Sequence, residues 1–423
     1  MTSFINQIFQ KFKAASGHHI LIATICSRAF SFIASWWAYR QVGTEALAPA
    51  IYAFQIIAFL VPFMGMGLYH GTLKYGAELS SKEDKIALYT AVLHKGRKWS
   101  LATMLLLITL GSIWDMGFED SGQYLIVFSL MLYISFEYEM QKVLFRLLHH
   151  NDKFALFEGL HWFLLLIFVV GLTPWLGALG YALAFIFAPL TTVLYGYLAY
   201  PQLFKSHIRP ISSTNSINKA FFSYGLHTAF ANVISKLLFA VDILLIGWLV
   251  SREDAVTIYK YLTLLPFSIL FLSGAYMTTH FVTLSKAHKD RSYTRKFIQE
   301  YILIFSGISF IYLLFCRLFA VPLLRFFGPE LVPYTDVFMI LALGTTGILI
   351  LRGLFGNLLS ACGRADLAFY AGAIGLGVNI ASNFVLIPKY GLLGAAVTSA
   401  SIMWLTGLLS SIFYFVSCTN KYK

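Results

Sequence analysis

Seven basic side chains lie inside long apolar stretches of this 423-residue chain: Arg40 and Arg317 sit near the ends of theirs, and the others are Arg28, Lys142, Lys236, Lys260 and Arg352. A charge there costs ~2.5–3.5 kcal/mol on insertion scales and is normally kept only where it faces protein or a water-filled cavity. Basic groups in such a cavity suit an anion, because Arg and Lys hold phosphate or carboxylate through charge-assisted hydrogen bonds. Arg28 and Lys236 are the deepest, about nine and fifteen residues into their stretches. Lys142 and Arg352 sit several residues from one end, and Lys260 is close to an outer end, so snorkelling to the interface is an alternative there. Three titratable groups are candidates for ion coupling. Glu158 and His161 are one helical turn apart and would form either a protonatable pair or a structural hydrogen bond. Asp242 is six residues from Lys236 and off its helix face, so its partner must come from another helix. Glu139 and Lys142, three residues apart, can neutralise each other.

No catalytic motif accompanies these residues. There is no G-x-x-x-x-G-K for nucleotide phosphates, no G-x-S-x-G and no H-E-x-x-H. Cys26, Cys316, Cys362 and Cys418 are scattered singly, which predicts neither a metal site nor structural disulfides. No cofactor is expected. A membrane enzyme of envelope polysaccharide synthesis would need a sizeable aqueous loop, and the longest outside loop expected lies near Pro322–Tyr334. A transporter is expected instead.

The elements that must hold these charges are transmembrane helices. Hydrophobic residues make up 58% of the chain, and charged residues only 12%, against ~25% in soluble domains. At ~20 residues per span, twelve spans would use nearly all of that apolar share. The apolar segments run roughly 19–41, 46–69, 99–116, 123–147, 155–173, 177–199, 221–249, 255–281, 299–320, 335–360, 367–387 and 391–417. The first reads as a transmembrane helix and not as a cleavable signal. Strands are not needed. With both termini in the cytoplasm, 21 of the 31 basic residues fall in inside segments, as the positive-inside rule requires. The net charge of +12 is therefore a topology signal rather than a nucleic-acid one. The stretch Ser81–Lys98 mixes apolar residues with lysines and suggests an amphipathic helix on the inner leaflet.

The chain repeats itself. Pro174-Trp175-Leu176-Gly177-Ala178-Leu179-Gly180-Tyr181-Ala182 matches Pro388-Lys389-Tyr390-Gly391-Leu392-Leu393-Gly394-Ala395-Ala396 as P-x-x-G-x-L-G-x-A, at an offset of 214. Ile51-Tyr52 matches Ile258-Tyr259, and Lys142-Val143-Leu144-Phe145 matches Arg352-Gly353-Leu354-Phe355. These offsets predict two parallel six-helix halves related by a pseudo-twofold axis along the membrane normal, an arrangement typical of transporters. The halves are expected at 1–205 and 221–423, with a polar cytoplasmic linker at 206–220. Arg28 and Lys236 occupy nearly equivalent places in the repeat.

Several motifs resemble those of the multidrug/oligosaccharidyl-lipid/polysaccharide exporter superfamily, and within it the Wzx-type flippases of O-antigen and capsule synthesis. They are Gly363-Arg364 with Asp366, then Asn379, Asn383, Leu386-Ile387-Pro388, Tyr390-Gly391 and Gly394-Ala395-Ala396. Gly65-Met66-Gly67, Lys74-Tyr75-Gly76-Ala77-Glu78 and Asp242 add to the likeness. The resemblance implies a flippase of the bacterial inner membrane. It would move undecaprenyl-pyrophosphate-linked oligosaccharide units, for lipopolysaccharide or capsule, from the cytoplasmic to the periplasmic leaflet by alternating access. It also implies coupling to protons or Na+, and a polysaccharide polymerase and a chain-length regulator as partners. The alternative within the superfamily is a cation-coupled multidrug or small-molecule antiporter. Cationic drugs favour an acidic cavity, and the deep charges here are mostly basic.

Overall fold

The computed structural model describes residues 17–113, 118–204, 219–250, 252, 254–287 and 290–418. These are almost all helical, and no strand occurs among them. The chain packs as two units, one through Val233 and the other from Ile234. The expected linker 206–220 lies almost wholly outside the described residues, which resume at Lys219.

The first unit contains α1 (Gly17–Val42), α2 (Thr44–Leu60), α3 (Leu68–Ala77), α4 (Lys82–Ile113), α5 (Ser121–Leu147), α6 (Asn151–Ala199) and the start of α7 (Lys219–Leu249). The second contains the rest of α7, then α8 (Ala255–Ser268), α9 (Phe271–Ala287), α10 (Arg291–Phe327), α11 (Thr335–Gly347), α12 (Gly353–Ala361), α13 (Ala365–Tyr390) and α14 (Leu392–Cys418). The described residues of the twelve expected apolar segments fall on these helices and the short turns that join them. Among the described residues, seven stretches are long and apolar enough to cross a membrane on hydropathy alone, and α7 is an eighth if its two bent parts count as one span. The chain is thus an all-α multi-pass membrane protein. Leu303, Phe310, Ile311, Leu314 and Leu318 of α10 are exposed at helical spacing, an apolar stripe that only lipid would cover.

The repeated Pro/Gly motif proves to be a one-residue reversal. As a straight rod, the 49 residues of α6 would span ~74 Å, over twice the ~30 Å hydrocarbon core. The helix breaks at Gly177, with φ 57° and ψ −133°. Gly391, between α13 and α14, has the same φ 57° and ψ −133°. Only glycine enters that region freely. Three residues on, Gly180 and Gly394 press against the carbonyls of Leu172 and Leu386, where a Cβ would collide. Each of these pairs keeps the sequence offset of 214, so the two copies fold alike.

Two expectations are corrected. The segment 82–98 is the first half of α4, and its apolar side, with Ile86, Leu88, Val92 and Leu93, is buried in the first unit instead of lying on a leaflet. It runs on without a break into a membrane helix, so packing against α5 takes the face that lipid would have met. Cys362 and Cys418 form a disulfide, with Cα atoms 6.6 Å apart. They lie 56 residues apart in sequence, but the ends of α12 and α14 meet in space. Cys26 and Cys316 are free.

Candidate functional site

In the first unit, α1, α5 and α6 enclose an open cleft of about 390 Å3. Helical spacing places its walls. Ser27, Arg28 and Ser31 share one face of α1, and Phe154, Glu158 and Trp162, four residues apart, form a stripe on α6. Lys142 enters from α5. Its ammonium lies 2.7 Å from Glu158 Oε2 and 3.1 Å from Glu139 Oε1. Glu158 also accepts from Tyr138 OH and from Trp162 Nε1, both at 3.1 Å. One lysine therefore lies between two carboxylates, and both oxygens of Glu158 are engaged. Arg28 is exposed and makes no ion pair among the described residues. The Oγ of Ser27, a residue only 6% exposed, has no hydrogen-bond partner.

Glu158 and His161 do not bond to each other. His161 packs against Tyr138 with the rings tilted by 32° and their centroids 4.7 Å apart, and its Nδ1 is buried without a partner. The two are three positions apart on one helix, but Lys142, Tyr138 and Trp162 have taken the carboxylate.

The second unit holds a different cluster. Asp242 of α7 is 1% exposed. Asn383 Nδ2 donates to its Oδ1 at 2.7 Å, Tyr259 OH donates to Oδ2 at 3.3 Å, and Ser399 donates to the same oxygen. Asn383 Nδ2 is also 2.7 Å from Asn379 Oδ1. The partners do come from other helices, as expected, but none is basic: among the described residues Asp242 has no ion pair. Asn383 Oδ1 is left without a donor. A buried carboxylate surrounded by amide and hydroxyl oxygens can be neutralised by a proton or by a small hard cation.

The remaining candidates are not among the partners described for either cluster. Lys236 is an exposed residue of α7 in the second unit, whereas Arg28 belongs to the first. Lys260, on α8, is half-buried and makes no ion pair among the described residues. Arg352 is half-buried and ends a π-helical turn, Ile348–Arg352, that lies between α11 and α12. The backbone of that turn is held by Tyr301 OH, which donates to Leu349 O at 2.9 Å.

The sequence reading gave Arg97 no role in a site. It pairs with Glu137 and lies 2.9 Å from Tyr197 OH, tying α4, α5 and α6 together. It also missed Ser27, Ser31, Phe154 and Trp162, although the four-residue spacing around Glu158 would have found the last two.

No protein-family model and no curated protein sequence matches this chain. Solved structures do. The lipid II flippase MurJ, in an inward closed conformation, is 18% identical over 94% of this chain and 87% of its own, with a TM-score of 0.74. An inward-facing multidrug resistance MATE family transporter of the MOP superfamily is 15% identical over 93% of this chain and 94% of its own, at 0.73. A MOP superfamily transporter from Pyrococcus furiosus, reported to have a binding pocket of reverse polarity, is 14% identical over 97% of this chain and 96% of its own, at 0.66. At these identities the likeness is one of fold, and this multi-pass membrane protein has the fold of the MOP-superfamily transporters.

Proposed function

We propose that the protein is a flippase that carries undecaprenyl-pyrophosphate-linked oligosaccharide units across the bacterial inner membrane by alternating access. The observation that carries this reading is the charge balance of the cleft between α1, α5 and α6. Among its lining residues Lys142 is matched by Glu158, while Glu139, the second partner of Lys142, is not part of the lining; the lining therefore carries one excess positive charge, that of Arg28, and an anion fits where a cationic drug does not. This separates the flippase from the multidrug antiporter, for which an acidic surface would be needed. Lys142 shapes the cleft, while Lys236, Lys260 and Arg352 supply further cationic contacts along the path of the cargo. The halves are 1–205 and 221–423, both termini are cytoplasmic, and a polymerase and a chain-length regulator use the product.

Coupling resides at Asp242. Leaving its charge uncompensated inside the protein costs several kcal/mol, so the site takes up H+ or Na+ and releases it as the protein changes state. Glu158 and His161 are secondary in this scheme, because Glu158 is already held by Lys142.

The test is surface polymer in a strain that lacks its own flippase. Arg28→Lys should keep much of the activity, and Arg28→Ala together with Lys236→Ala should abolish it at unchanged levels of inserted protein. Asp242→Asn, which keeps the shape but not the charge, should insert normally and lose its dependence on the ion gradient. Full surface polymer in the double alanine variant would end the anionic-cargo reading.

A further inference from the structure

The same cleft carries more than a cation. Trp162 lends its indole N–H to Glu158 at 3.1 Å, so what the ring offers the cleft is its apolar face. Phe154 forms a second aromatic wall. An ionised carboxylate has about four acceptor positions, and Trp162, Tyr138 and Lys142 fill three of those on Glu158. Ser31 adds a hydroxyl, and the buried, unpartnered Ser27 Oγ adds another. A bare phosphate would gain nothing from two aromatic walls and would be repelled by Glu158. A sugar ring uses all of these features: its C–H face packs on an aromatic plane, and its hydroxyls bond to carboxylate and serine oxygens. The volume of about 390 Å3 lies within the ~300–1,000 Å3 range of small-molecule sites.

We propose that this cleft is a carbohydrate subsite that seats one anionic hexose-sized residue, with the ring against Trp162 and the acid group at Arg28. The proposal rests on the reading of the cargo as a lipid-linked oligosaccharide, and names a part of the glycan that the protein selects. The acid group is either a carboxylate on the sugar or the phosphate that joins the first sugar to the lipid. Both present the same chemistry to Arg28.

The test is ligand-observed NMR with the purified full-length protein in nanodiscs. The probes are methyl glucuronide, glucose 1-phosphate, methyl glucoside and inorganic phosphate. The expected result is saturable binding of at least one anionic sugar, tenfold or more tighter than methyl glucoside or phosphate. Preference for the glucuronide assigns the acid to the sugar, and preference for glucose 1-phosphate assigns it to the lipid linkage. Arg28→Ala and Trp162→Leu should each weaken binding at least tenfold, while Trp162→Phe should retain most of it and so report an intact fold. The proposal is overturned if no anionic sugar binds saturably, if phosphate binds as well as the tighter of the two anionic sugars, or if Trp162→Leu binds like the parent. Loss of sugar binding with surface polymer still dependent on Arg28 would remove the subsite and leave the flippase. Sugar binding without any rescue of surface polymer by the parent protein would do the reverse.

Discussion

Arg28 and Lys142 share a cleft but not an electrostatic situation, and the difference sets what each substitution should do. The Lys142 side chain is 12% exposed and lies between Glu139 and Glu158. Removing it leaves two carboxylates facing each other without a counter-charge. Breaking a fully buried pair costs ~3–5 kcal/mol; here Glu139 and Glu158 keep some contact with solvent, so Lys142→Ala should cost about 1–3 kcal/mol. Thermal unfolding of the purified protein would show it, and Lys142→Ala combined with Glu139→Gln and Glu158→Gln should recover most of the loss. An unchanged melting curve in the single variant would mean that the triad contributes nothing to stability. Arg28→Ala should leave stability within about 0.5 kcal/mol, because no ion pair is lost with it. The sequence listed all the charged members of the cleft but could not sort them. Spacing along one helix allows the Glu139–Lys142 pair and equally allows Glu158 to face His161. Only the approach of α5 to α6 assigns Lys142 to both acids.

At the level of elements, the repeat motif has a physical meaning that its letters only hinted at. Gly177 and Gly391 stand at φ 57° and ψ −133°, where a side chain is strained. Gly391→Ala or Gly177→Ala should therefore destabilise by ~1–3 kcal/mol, measured as a lowered melting temperature in detergent. Nothing lies within 4 Å of a Cβ at either position, so the loss would come from the backbone and not from a clash. At Gly180 and Gly394 the opposite holds, since a methyl group would meet the carbonyls of Leu172 and Leu386. The ends of α12 and α14 give a second measurement. With Cys362 bonded to Cys418, alkylation of the denatured, unreduced protein should label two thiols, and four after reduction. Four without reductant would show the crosslink absent. The sequence could not foresee it, because pairing of single cysteines depends on which helix ends meet.

For the whole molecule, topology is the property that charge alone predicts. Reporter fusions within 205–217 should read cytoplasmic and those within 115–122 periplasmic, because only that arrangement places 21 of the 31 basic residues inside. A periplasmic signal from the central segment would break the model of two parallel halves. The sequence by itself determined that this is an all-α membrane protein, where its spans fall, and that it is built on a repeat. Apolar length and backbone satisfaction leave a lipid-embedded chain few choices, and a glycine required by a reversal marks its own position. The interior polar sites were decided by tertiary structure. Asn379 and Asn383 were legible only as motif residues and Tyr259 only as part of the repeat, and Ser399 carried no signal at all. They become one site because α8, α13 and α14 bring them to Asp242. In the same way, Trp162 was one more aromatic residue in an apolar run until α1 and α5 closed around it. Hydropathy is a property of each residue, whereas a binding site depends on the distances between helices, and these follow from packing.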